Sequence, residues 1–171
     1  IADFKYGVVA LSDVVTEKNE VEVYALAAWA AARLYQLTHD KTYLEKAATY
    51  ADVIMECQEL KKHDDWTIPL RGFFYASRKK LRPLEYFHQS QEEVNIKALT
   101  ELLKLAPDHP RAGQWRTTCL AYAEYLKAIA GIIPPYGILP AAVYQLDNAD
   151  FKGIYHEGDQ VGMPSMEEYN A

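Results

Sequence analysis

From Glu20 to Leu37 the chain carries Val21, Val23, Tyr24, Leu26, Trp29, Leu34, Tyr35 and Leu37, with alanine at most other positions. Alanine and leucine are strong helix formers, so the run predicts a helix, and its apolar residues pass nearly all the way round. A helix without a polar face has to be covered on several sides. This one stretch therefore predicts an all-α fold with that helix inside a layer of others.

The remaining apolar patterns supply the cover. Thr38-His39-Asp40-Lys41 is a short connection in which Asp40 is placed to cap the next helix. That helix, about Thr42 to Leu60, sorts Tyr43, Leu44, Ala47, Tyr50, Ala51, Ile54 and Gln58 onto one face and Glu45, Lys46, Thr49, Asp52 and Glu56 mainly onto the other, as an outer helix does. Ser90-Gln91-Glu92-Glu93 matches a capping box and predicts a third helix from near Gln91 to Leu105, ended by Ala106-Pro107-Asp108-His109-Pro110. A fourth, about Arg111 to Ala130, carries Trp115, Cys119, Tyr122, Leu126 and Ile129 and is expected to stop at Gly131.

These helices form a repeat. Glu20-Val21 followed by Ala25-Leu26 recurs as Glu93-Val94 followed by Ala98-Leu99, and a Leu-x-x-Asp turn precedes each second helix. An antiparallel hairpin is thus used twice, over about 20–60 and 91–130, with a period of roughly seventy residues. Its internal turns are short, whereas the lead-in to Lys18, the Lys61 to Glu93 loop and the tail after Gly131 are long. Antiparallel hairpins put those long segments at one end, where the inner helices begin and free amides favour polar or anionic groups. That end is the expected working face and the other is scaffold.

Charge and composition exclude several classes. A net charge of −6 with one short basic run, Arg78-Lys79-Lys80 plus Arg82, argues against nucleic-acid binding, and that run reads as a solvated loop face. No apolar window is long enough for a membrane span. Cys57 and Cys119 fall inside helical patterns without metal-ligand spacing and read as packing residues. Asp147, Asn148, Asp150 and Gly153 resemble a calcium loop only loosely, so no metal and no cofactor are expected. The 171 residues read as a single domain, opening on Ile1 and taken as a mature or proteolysed piece of something longer.

The alanine-rich helix, the Thr-x-Asp-x-x-Tyr-Leu turn and the Ala-x-x-Tyr-Ala-Asp helix of Thr38 to Asp52 resemble the six-hairpin glycosidases. Arg71-Gly72-Phe73-Phe74-Tyr75, Tyr86-Phe87-His88 and Pro135 to Pro140 look like loop segments of the same toroids. The resemblance implies part of an (α/α)6 toroid, a carbohydrate substrate, a secreted or periplasmic setting, and paired acids in a central funnel. With two clear hairpins, the chain is then an incomplete portion of the ring, completed by missing segments or a further chain.

Glycoside hydrolysis commonly needs two carboxylates, about 5–5.5 Å apart for retention or about 6.5–9.5 Å for inversion. Glu92 and Glu93 diverge by about 100° on a helix, so at most one faces the funnel. The capping box accounts for Glu93, leaving Glu92 as the catalytic candidate, with Asp65 or Asp64 as its partner. His88 can orient Glu92 or bind a sugar hydroxyl, and equally can be a simple polar contact. Trp66, Phe73, Phe74, Tyr75, Tyr86, Phe87 and Tyr136 are stacking candidates, of which two or three are expected to line a site while the rest are core. Arg71 can grip a uronic-acid carboxylate, or tie its loop to the scaffold. Two other functions use the same hairpins: a carbohydrate lyase or epimerase with His88 and a loop tyrosine as bases, and a non-enzymatic helical-repeat scaffold.

Overall fold

The computed structural model describes residues 11–62, 70–81, 83–84, 93–131, 144–145 and 161–162. These are predominantly helical, with α1 at Glu20–Thr38, α2 at Lys41–Cys57, α3 at Glu93–Leu105 and α4 at Ala112–Ala130. Strands β1 (Tyr144–Gln145) and β2 (Val161–Gly162) pair antiparallel. The α1–α2 connection closes as its residues dictate. His39 takes a left-handed conformation (φ 56°) and donates its N–H to the Tyr35 carbonyl, and the Asp40 carboxylate accepts the Thr42 N–H at 2.9 Å. Between α3 and α4, His109 stacks on the buried Trp115 with ring centroids 4.8 Å apart. Gly131 follows α4 in a right-handed conformation, so no left-handed φ demands glycine there.

α1 packs along α2 on one side and α3 on another, and α3 in turn packs on α4. Trp29 lies beside Lys97, 5.2 Å from ring to ammonium, and Arg33 beside Glu101 at 3.0 Å. Both pairs advance in the same chain direction, so α1 and α3 are parallel neighbours, each backed by an antiparallel partner. α2 turns Tyr43, Leu44, Ala47, Ala51 and Ile54 inward and Glu45, Lys46, Thr49 and Glu56 outward, as its sequence pattern predicts.

α1 itself departs from expectation. Leu26, Ala30, Arg33 and Leu37 form an exposed stripe, with Leu26 at 52% and Leu37 at 77% exposure. Among the described helices only α2 and α3 pack closely on it, and this stripe, from whose edge Arg33 reaches Glu101 on α3, is left exposed.

Both inner helices bury a stripe of their own residues completely, and Ala25 and Ala98, which correspond in the sequence repeat, are both in it. Val21, Ala25 and Ala28 are fully buried on α1, and Asn95, Leu99 and Leu102 are fully buried on α3 at the same spacing. Asn95 is fully buried on α3, and neither its amide nitrogen nor its oxygen has a hydrogen-bond partner. A buried polar group without a partner costs about 1–3 kcal/mol. Asn95→Val should consequently raise stability by roughly 1–2 kcal/mol, read as an increased denaturation midpoint; a lower midpoint would show that the amide is bonded in solution.

Candidate functional site at the start of the inner helices

The described part of the long connection folds back over the end where α1 begins and α2 finishes. Phe74 bridges to Gln58 and Tyr75 to Pro83, while Ala76 accepts the Val21 N–H at 3.0 Å. Phe73, Phe74 and Tyr75 go into the core, where Phe73 lies against Tyr125 and Phe74 against Tyr122. Gln58 fastens three elements together, donating from Nε2 to the Gly72 and Thr118 carbonyls at 2.9 Å each. Gly72 has φ +89° and lies so close to α4 that a Cβ there would collide with the Ala121 carbonyl.

The described residues of the basic run, Arg78, Lys79 and Lys80, are solvent-exposed, as their sequence predicts, and they also fasten the connection to the helices. Arg78 grips Glu20 through Nη2 (2.7 Å) and Nε (3.0 Å) and reaches Glu56 at 3.4 Å, and its own backbone N–H also donates to Glu20. Lys79 pairs with Glu17, and Lys80 donates to the Gln58 carbonyl while lying over the Tyr75 ring. An open groove of about 490 Å³ lies between the lead-in and this run, lined by Val15, Thr16, Glu17, Glu20, Ser77, Arg78 and Lys79. The carboxylates and cations along it are bonded to one another, so its charge is internally neutralised. Sequence spacing did not reveal these pairs because they join residues far apart in the chain.

On α1, next to that clamp, two carboxylates two residues apart meet opposite environments. Burial alone would raise the Glu20 pKa, but the hydrogen bonds and charge of Arg78 outweigh it and hold the carboxyl below its usual value. Glu22 lies on the same face as Leu26, Trp29 and Arg33, is half-buried, and is raised above the ordinary range by burial. Glu22 escaped the sequence analysis because a glutamate at a helix start usually serves the helix dipole.

Of the candidates named from sequence, Arg71, Phe73, Phe74 and Tyr75 are described, and both phenylalanines are core. Arg71 ties the loop to α4 through a 2.7 Å ion pair with Glu124. Tyr75 is 6% exposed, and burial pushes its hydroxyl up to about 12. Glu92, Asp65, Asp64, His88, Trp66, Tyr86 and Tyr136 lie outside the described residues, as do Phe87, Ser90 and the loose calcium-like run. Burial raises the Cys57 thiol to about 12 and that of Cys119 to about 11, which suits packing rather than nucleophilic chemistry. Among the described residues no group of three or more His, Cys, Asp or Glu side chains could hold a metal, and no helix is long and apolar enough to cross a membrane.

Comparison with protein-family models, with curated proteins and with solved structures found no match to the chain.

Two measurements check this end of the fold. Gly72→Ala forces both a collision with α4 and a strained φ, and should destabilise by roughly 3 kcal/mol or more in denaturant unfolding. The second concerns pH. Glu20, with its folded pKa lowered, contributes stability above its ordinary pKa that is lost as pH falls through the folded value. Glu22, with its folded pKa raised, costs stability as pH climbs through the raised value and costs nothing once both states are protonated. Glu20→Gln should therefore destabilise and Glu22→Gln stabilise near neutrality, with both differences vanishing in acid when midpoints are followed from about pH 8 to about pH 3.

Proposed function

We propose that the protein hydrolyses glycosidic bonds in a poly- or oligosaccharide, as part of an (α/α)6 toroid that missing segments or a further chain complete. One observation carries this reading: two parallel helices lie side by side, each backed by an antiparallel partner, with short turns at one end and the described part of the long connection at the other. Repetition of that unit gives a closed double ring whose inner helices all begin at the same end. The open stripe on α1 fits a unit with room for a further helix or for the funnel itself.

Glu92 and Asp65 enter the proposal from the sequence, Glu92 just ahead of Glu93, the first described residue of α3. In hydrolysis one carboxylic acid protonates the departing glycosidic oxygen, and a carboxylate activates water or attacks the sugar carbon. Asp64 is the substitute should the loop turn the other way. Replacing an acid by its amide preserves shape while removing the transferable proton or the charge.

The test is turnover of an oligosaccharide panel by the full chain and by Glu92→Gln and Asp65→Asn. Each variant should lose activity by about 10²-fold or more while retaining binding. Full activity in both would remove these two residues. An ultraviolet-absorbing unsaturated product would establish a lyase in place of a hydrolase, and absence of any turnover or binding would leave the hairpins as a scaffold.

A further inference from the structure

The groove between the lead-in and the basic run has a floor and walls of different character. Ser77 (3% exposed) and Glu20 are buried and form the floor, whereas Glu17, Arg78, Lys79 and the half-buried Val15 form the walls. Its volume of about 490 Å³ falls within the range of small-ligand sites, about 300–1,000 Å³.

Ser77 is the unused group on that floor. Its carbonyl accepts the Lys80 N–H, but its hydroxyl makes no hydrogen bond among the described residues. The unpartnered side-chain atoms shut off from solvent belong to Gln58, Asn95 and Trp115. The Ser77 oxygen is not one of them, so it opens onto the groove that the residue lines. A hydroxyl both donates and accepts. This one is also held in place, because the neighbouring Ala76 carbonyl accepts the Val21 N–H and fastens the connection to α1. It meets a ligand without first having to be ordered.

The ion pairs beside it are only partly used. Glu20 accepts from Arg78 Nε and Nη2 at Oε1 and from the Arg78 backbone N–H at Oε2. A carboxylate offers about four acceptor sites, which leaves room on Oε2. Arg78 also reaches Glu56, and Lys79 pairs with Glu17, yet a guanidinium and an ammonium each keep further N–H groups. Free donors and acceptors therefore lie side by side on a surface of balanced charge, next to the apolar Val15.

That combination selects one ligand chemistry. An anion would have to displace Glu17 or Glu20 from a cation already paired, and a cation would meet the converse cost. A large apolar ligand would cover polar groups without satisfying them. A neutral polyol meets neither penalty. Its hydroxyls donate to Glu20, accept from Arg78 and Lys79 and do either with Ser77, while its C–H face rests on Val15.

We propose that this groove is a binding site for a neutral sugar of mono- to disaccharide size, with the Ser77 hydroxyl as its central contact. The inference goes beyond the hydrolase reading and does not rest on it, since no bond of the sugar is broken here. An open, polar groove binds weakly, with a Kd on the order of millimolar.

The experiment is a titration of the isotope-labelled full chain with cellobiose and with maltose, followed through its backbone amide NMR signals. With at least one of the two sugars, the signals of Val15 to Glu17 and of Ser77 to Lys79 should shift saturably. Ser77→Ala should weaken that affinity by roughly 5- to 10-fold, the worth of one hydrogen bond. Lys79→Met, at an exposed position, should weaken it by roughly 3-fold or more. Inorganic phosphate at the same concentration should move these signals less than the sugar does. Absence of saturable shifts with both sugars overturns the proposal, and so does unchanged affinity in Ser77→Ala. A stronger response to phosphate overturns it as well, since that would mark an anion site. Should Ser77→Ala not fold, unchanged affinity in Lys79→Met overturns the proposal in its place. Turnover of a sugar without these shifts would keep the hydrolase reading and remove the groove, whereas saturable shifts without turnover would do the reverse.

Discussion

The close seating of α1 against its neighbours rests on alanine. Ala25, Ala28, Ala31 and Ala32 on α1 and Ala47, Ala48 and Ala51 on α2 are all fully buried. A methyl group hides little apolar area, so this seam gains less from the hydrophobic effect than one lined with leucine. What it gains is proximity, because small side chains let two helix backbones approach and bring many weak dispersion contacts into range. Larger residues would force the helices apart and separate the groups at their ends.

Those end groups hold the long connection. Its backbone bonds to the start of α1 and the end of α2, its aromatic residues fill the space toward α4, and Arg78 crosses to Glu20. Gly72 permits the approach to α4, and Gln58 ties the two together by donating to the Gly72 and Thr118 carbonyls. Apolar residues give the loop its burial while paired charges fix its position. A partly buried pair such as Arg78 and Glu20 is tolerable because hydrogen bonds accompany the charges.

Glu20 and Glu22 show how finely this end is divided. Side chains two residues apart on a helix diverge by about 200°, so one carboxylate meets a guanidinium while the other meets apolar surface and the open face. Opposite shifts in their proton affinity follow from direction alone. Asn95 makes a related point for the core, as a polar residue fully buried on α3 with no partner for its amide.

The sequence by itself determined the helices and their order. Apolar periodicity, the Asp40 cap and the proline-rich stop after Leu105 are local signals, and α1 to α4 fall where those signals place them. Local signals also separated the outer face of α2 from its inner face. Only the tertiary structure decided that the exposed basic run pairs with carboxylates on the lead-in, α1 and α2, that Phe73, Phe74 and Tyr75 are core, and that α1 keeps one side open. The physical reason is that periodicity reports which residues seek cover, whereas their charge partners, their depth and their freedom depend on elements tens of residues away. Of the candidate site, sequence chemistry named carboxylates around the long loop, whereas the cations that Glu17, Glu20 and Glu101 hold come from residues about sixty positions away and are brought together only by the fold.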